Sequence, residues 1–305
     1  MSGRHSAVRL SHEVEAALAD GRPVVALEST ITSSFGLPAP HNRDCFERVD
    51  RAIRAVGAVP AVTGVLDGRM IAGVEEEEVE RILAGDWKLA ERDLPIALAR
   101  RASIGVSTVS ATVAIAHLAG IRTFATGGIG GVHRGAESSF DVSSDLGAMA
   151  RHPVIVVSAG AKAFLDLPKT VEYLETLGVP VVGYRCSEFP AFWSRSSGIS
   201  LPHRADSPAD IATIATAAES SGWSGGILVA NPIPASAEIP SAEIAAAIDT
   251  GLAVAAREGA VGPTATPRVL AAIAEATASR SIPANLALAE SNATLAAQIA
   301  VELTR

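Results

Sequence analysis

The stretch Ile121 to Asp145, IRTFATGGIGGVHRGAESSFDVSSD, decides the fold: a short apolar run ends in a connection crowded with five glycines, a histidine, an arginine and acidic residues. A run of this kind reads as a buried strand. The glycines after it let bare backbone approach a ligand. Working outward, Val24–Leu27, Val154–Val157, Val179–Tyr184 and Ile227–Ala230 are runs of the same kind, with a further strand through Val59 and Val62 and an Asp67-Gly68 hairpin turn. Helices fall between them. Ser11 caps one with Glu13 and Glu15 in its first turn, while Phe46, Val49, Ile53 and Val56 recur at helical spacing before a stop at Gly57. The acidic run Glu75–Glu78 is a solvated first turn, Asp93-Leu-Pro95 starts another helix, and Ser107-Thr108 caps one ending at Gly120. Alanine-rich helices over Ser241–Ala256, Pro267–Ala276 and Pro283–Leu303 complete the chain. Strands alternating with helices predict an α/β fold: a three-layer α/β/α sandwich with a mainly parallel central sheet, in one domain spanning residues 1–305.

Composition narrows the function. Hydrophobic residues are 48% of the chain but aromatics only 4%, so the core is built from Ala, Val, Ile and Leu. A formal net charge of −8 removes any sequence-wide attraction to nucleic acid or an anionic membrane surface. The expected partner is a small molecule, and an anionic one needs a local positive site. Cys45 and Cys186 form no CxxC pair or disulfide framework and read as inert thiols of a reducing cytosol. Met1–Leu10 lacks an apolar signal core, and the longest apolar stretches are broken by His117 and Arg122. A soluble cytoplasmic protein is expected.

Ligands of open α/β sheets sit beyond the carboxyl ends of the strands. Glu28, the glycine loop and Lys162 all follow such ends, so different strands aim polar groups at one crevice. Lys162 lies among Ala159, Gly160, Ala161, Ala163, Phe164 and Leu165; desolvation there favours a neutral, nucleophilic amine, against the alternative of a lysine reaching out to water. Asp141 and Asp145 share a face if their segment is helical, which suits a hard cation; alternatively Asp141 or Ser143 caps the next helix. His133 is a ligand, an acid/base or a structural donor. Glu28 is a general acid or part of a cap. A dinucleotide fingerprint fails, because its third glycine would fall at His133, and this disfavours a nicotinamide oxidoreductase.

The segments ALESTI (Ala26–Ile31), GAVPA (Gly57–Ala61), ERDLP (Glu91–Pro95), TGGIGGVHRGAE, SAGAK (Ser158–Lys162), EFPAFWSRSSG (Glu188–Gly198) and NPIP (Asn231–Pro234) together resemble the pseudouridine-5′-phosphate glycosidases, also called the indigoidine synthase A-like family. The resemblance implies reversible cleavage of the carbon–carbon glycosidic bond of a nucleotide, giving uracil and ribose 5-phosphate, by a homotrimer that uses Mn²⁺, with Mg²⁺ as substitute. By motif, Lys162 matches the nucleophile, Glu28 the proton donor and Asp141 the metal ligand. Lys88, Val109 and Ser143–Ser144–Asp145 match substrate contacts, and His133 and Asn285 fall on site positions. Lys88 and Arg134 would offset phosphate charge. A non-catalytic sugar-phosphate-binding protein, or a C-glycosidase with altered base preference, are the alternatives.

The chain also departs from the family pattern. Ser33-Ser34-Phe35-Gly36 carries one residue more than the family loop and lacks its histidine, Glu91 stands where the family has an arginine, and Val106-Ser107-Thr108-Val109 replaces Gly-Thr-Thr-Val.

Overall fold

A computed structural model describes residues 7–259, 265–277 and 280–305; residues 1–6, part of the segment read as lacking a signal core, lie outside the described residues. The strands in chain order are β1 (Val8–Leu10), β2 (Val24–Leu27), β3 (Val59–Leu66), β4 (Arg69–Ala72), β5 (Lys88–Leu89), β6 (Ile104–Ser107), β7 (Thr123–Ala125), β8 (Ile155–Ser158), β9 (Val181–Tyr184), β10 (His203–Ala205) and β11 (Ile227–Ala230). The helices are α1 (His12–Ala19), α2 (His41–Ala55), α3 (Val79–Leu83), α4 (Leu94–Ala99), α5 (Val109–Ala119), α6 (Ala136–Ser139), α7 (Ser144–Arg151), α8 (Leu167–Thr176), α9 (Pro208–Ser220), α10 (Ser241–Arg257), α11 (Ala265–Ala276) and α12 (Ser281–Glu302).

The central sheet runs β3-β2-β7-β8-β11-β9-β10, with every neighbouring pair parallel. β2, β8 and β11 are buried throughout, which is why they read as unbroken apolar runs rather than alternating ones. Helices flank this sheet, as an α/β/α sandwich requires. The hairpin expected at Asp67-Gly68 is present, but the side sheet built on it was not expected. β3 is long enough to serve two sheets: Val59 to Val62 pair with β2, while Thr63 to Leu66 pair with β4 across the Asp67-Gly68 turn and Gly64 to Leu66 pair with β6. β1 and β5 then extend this side sheet. Short strands such as β5 and β10 carry too little periodicity to be read from sequence.

α12 is the second surprise. It is apolar on nearly every side, with Ile282, Leu286, Leu288, Leu295 and Ile299 all buried, and it packs on β2, β7, β8 and α2. A helix of that kind belongs inside the protein. Its fully buried Asn292 donates from Nδ2 to the carbonyls of Thr126 (2.8 Å) and Gly127 (3.2 Å), and its Oδ1 accepts from Asn231 Nδ2 at 2.9 Å. One amide therefore ties the start of the glycine loop to the end of β11.

The free thiols behave as expected: Cys45 is fully buried, and burial pushes it up to about 12. Among the described residues no helix is long and apolar enough to cross a membrane.

Candidate active site

A cavity of ≈ 290 Å³ opens at the carboxyl ends of β2, β7 and β8. It is lined by Glu28, Lys88, Val109, His133, Asp141, Ser143, Ser144, Asp145, Lys162 and Asn285, so the structure brings these predicted residues together.

The glycine loop reaches Lys162 because the pairing of β7 with β8 continues past both strands. Ile129 N–H donates to Gly160 O at 3.0 Å, and Lys162 N–H donates to Ile129 O at 3.1 Å. The loop then turns back: Val132 bridges Val142, and His133 N–H donates to Asp141 O at 3.0 Å. Lys162 is partly buried between buried Ala161 and Ala163 and borders the cavity.

Asp145 is a fixed element of this arrangement. It is buried, and its carboxylate accepts from Ser110 N–H (2.9 Å), in the first turn of α5, and from Gly130 N–H (2.8 Å). A carboxylate is favoured at that helix end. Gly130 has to be glycine, since a Cβ there would lie 2.3 Å from Ser143 Oγ and 2.7 Å from Asp145 Oδ2. Asp141 is not helical. α7 begins at Ser144 and is capped by Ser143, whose Oγ accepts from Asp145 N–H at 3.2 Å. The shared helical face expected for Asp141 and Asp145 is therefore absent, and the capping alternative holds for Ser143.

Glu28 follows β2 and is almost wholly buried, with Thr126 Oγ1 donating to its Oε1. Burial pushes its carboxyl above the ordinary range, against the pull of the Lys162 charge and the Thr126 hydrogen bond. The shift is in the direction a proton donor requires. Burial and the neighbouring Lys162 charge hold Lys88 below its ordinary value, opposed by Asp145 and Glu28. His133 is also held low by burial, with Asp141 opposing and Lys162 and Lys88 reinforcing; the neutral imidazole prevails at pH 7.

A buried hydroxyl cluster stiffens the floor. Ser29 Oγ donates to Thr63 O (2.7 Å), Ser107 Oγ donates to Thr63 O (2.8 Å), and Thr112 Oγ1 lies 3.0 Å from Ser107 Oγ. All four side chains are fully buried, so the carboxyl ends of β2 and β6, and with them Glu28 and the start of α5, keep a fixed spacing.

One expectation needs correction, and one departure from the family pattern is explained. Arg134 does not border the cavity; its guanidinium faces Asp249 at 3.3 Å, on the exposed side of α10. Glu91 points away from the cavity to Arg151 and to His152 Nε2 (2.7 Å), so its charge is offset at the end of α7, while Arg92 borders the cavity mouth. Sequence reading also missed Thr126, Asn292 and the hydroxyl cluster. An Asn deep within an alanine–leucine helix was the one available signal. Asn285 is held through its Oδ1, which accepts from Trp193 Nε1–H at 2.7 Å, and this accounts for the Trp in the EFPAFWSRSSG segment.

Among the described residues no group of three or more His, Cys, Asp or Glu side chains comes together to hold a metal ion. Asp141 stands with its Oδ2 3.8 Å from His133 Nδ1, and its side chain is about one third exposed. A single hard carboxylate bordering an open cavity fits a divalent ion that keeps most of its waters.

Comparison with known proteins agrees with this geometry. The family model for indigoidine synthase A like protein matches residues 13–302. A pseudouridine-5′-phosphate glycosidase of Methylobacterium nodulans is 50% identical over 98% of this chain and 89% of its own, and one of Solibacter usitatus is 50% identical over 97% and 99%. Among solved structures, the prealnumycin C-glycosynthase in complex with ribulose 5-phosphate superposes with a TM-score of 0.89 at 36% identity, covering 97% of each chain. An indigoidine synthase A-like protein of Thermotoga maritima gives 0.88 at 36% identity over the whole of both chains. With sequence and fold matched from end to end, the chain belongs to the indigoidine synthase A-like family.

Proposed function

We propose that the protein reversibly cleaves the carbon–carbon glycosidic bond of pseudouridine 5′-phosphate to uracil and ribose 5-phosphate, the activity carried in the names of relatives that share half its residues. The observation that carries the reading is the buried Glu28, its carboxyl pushed up by desolvation, in the same cavity as Lys162. A C-glycoside has no leaving oxygen for a pair of carboxylates to protonate, so ordinary glycosidase chemistry is closed to it. An amine and an acid open another route. After the ribose ring opens, C1′ is conjugated with the base, and the Lys162 Nζ lone pair adds there. Glu28 delivers its proton to C5 of the base. Nζ, now an ammonium, gives a proton to water; the C1′–C5 bond then breaks, uracil leaves with the bonding pair, and the freed nitrogen lone pair forms an imine to C1′. Water hydrolyses the imine and returns free Lys162 and ribose 5-phosphate.

The remaining residues bind and orient. Lys88 offsets phosphate charge, Val109 and Ser143–Ser144 line the wall at the first turns of α5 and α7, where phosphate is favoured, and Asn285 keeps its amide nitrogen for the substrate. Asp141, beside neutral His133, would hold a hydrated Mn²⁺ or Mg²⁺, which supplies charge compensation for the phosphate. The same reading carries a cytoplasmic homotrimer, which light scattering in solution would test.

Uracil release from pseudouridine 5′-phosphate, measured with and without Mn²⁺, tests the activity. Ribose 5-phosphate with borohydride should leave a sugar-phosphate mass on Lys162. A protein that binds ribose 5-phosphate but neither exchanges uracil nor becomes labelled is a binding protein, and the proposal fails.

A further inference from the structure

The loop that leaves Glu28 carries a side chain that the mechanism has not used. Phe35 is partly buried and borders the cavity, yet among the described residues it neither packs against the hydrophobic core nor meets another aromatic ring. Phe192, also on the cavity wall, differs in each respect. It is 5% exposed, belongs to the core, and sits edge-on to Trp193 with ring centres 4.9 Å apart.

The loop backbone around Phe35 is tightly fixed. Fully buried Ser33 donates its hydroxyl to Thr30 O (2.9 Å) and accepts Phe35 N–H (3.3 Å). Gly36 N–H donates to Ser33 O at 3.1 Å, and Leu37 N–H closes the loop onto Ile31 O at 3.2 Å. Gly36 lies so close to Ile31 that a Cβ would fall 2.5 Å from its Cα and carbonyl oxygen. A rigid backbone thus holds at the cavity wall a ring that, among the described residues, lies outside the hydrophobic core and meets no other ring. Leaving part of an apolar ring in contact with water costs free energy unless a ligand covers it.

We propose that Phe35 is the stacking platform for the nucleobase and so a determinant of which base the enzyme accepts; this rests on the C-glycosidase reading given above. Glu28 can protonate C5 only if the base lies against its carboxyl, and the wall that continues from Glu28 is the Ile31–Leu37 loop. Phosphate and ribose belong to the polar wall opposite, around Asp141 and Ser143. A phenyl ring offers neither donor nor acceptor, so it recognises the π face of a planar heterocycle rather than its edge pattern. The ligand class it selects is a nucleotide or free base with a flat aromatic ring, with little demand on exocyclic groups from this side.

The synthetic direction separates the two halves of the substrate, because uracil and ribose 5-phosphate each have their own KM. Phe35→Ala should raise the KM for uracil roughly tenfold while the KM for ribose 5-phosphate and borohydride labelling of Lys162 stay within about twofold of wild type. Phe35→Leu keeps apolar bulk without a π face and should show the same rise, and Phe35→Trp should restore uracil binding. Unchanged KM for uracil in the Leu variant overturns the inference, as does an equal rise in both constants, which would mark a collapsed loop. In either case a wild type that still turns over leaves the parent reading standing. A wild type that neither releases uracil nor labels sinks both.

Discussion

Two cavities of ≈ 290 Å³ open at opposite ends of the parallel sheet, and only one of them is built as a site. The cavity at the amino ends is bordered by His117, Arg122, Trp223 and the glycines around Gly225. Its charged groups are already used: Arg122 pairs with Glu219 at 2.9 Å. The helices that reach it, α5 and α9, arrive with their carboxyl ends, which disfavour an anion. At the carboxyl ends the helices α5 and α7 arrive with their amino ends, and Glu28, Lys88 and His133 all have displaced pKa values. Equal volume, then, says little. What marks a site is convergence of desolvated titratable groups with helix amino ends.

The contrast is most exposed at its centre. Lys162→Ala should lower kcat by at least about 10³-fold, and Arg122→Ala at the other end should leave it unchanged; steady-state uracil release from both variants checks this. Glu28→Gln should cost about 10²–10⁴-fold in kcat with the protein folded. The same variant probes the electrostatic difference between the two ends. The folded-state pKa of Glu28 lies above the unfolded one, so its stability contribution is complete below the unfolded value and is lost as pH rises through the folded value. Gln mimics the protonated form, and its melting temperature should gain on wild type with rising pH, by about 2–4 °C.

Asn292→Leu leaves Asn231 and the Thr126 and Gly127 carbonyls without their buried partner, and should destabilise the protein by about 1–3 kcal/mol, read by chemical denaturation, with a loss of activity because the glycine loop loses its anchor. The smallest effect concerns Lys88. Burial and Lys162 depress it, so ribose 5-phosphate affinity should begin to weaken on the alkaline side before pH 10.5, the ordinary lysine value. Calorimetric titration across that range should show the decline in wild type and a flat profile in Lys88→Met.

Much of this was legible in the chain. The apolar runs Val24–Leu27, Val154–Val157 and Ile227–Ala230 became strands because a fully buried parallel strand leaves no alternation to obscure the pattern. Glu28, Lys162 and the glycine loop were found because each follows such a run. Asp141 and Asp145 left two readings open, a shared helical face or a cap, since spacing alone cannot tell a capped helix start from a helix interior; the structure decided for the cap, at Ser143. Arg134 was misassigned for a similar reason: a positive charge beside a motif says nothing of the direction its side chain takes. The side sheet escaped notice because β3 changes partners midway, and pairing between distant segments leaves no local mark.

The sequence by itself determined the buried strands of the parallel sheet, their alternation with helices, and which loops would border the cavity, because burial and turn formation act on neighbours along the chain. Tertiary structure alone decided that Asp145 is locked by Ser110 and Gly130, that burial pushes the Glu28 carboxyl up, and that Asn292 anchors the loop from a buried helix. Desolvation and hydrogen-bond partnership depend on groups far apart in sequence, and only packing brings them within reach of each other.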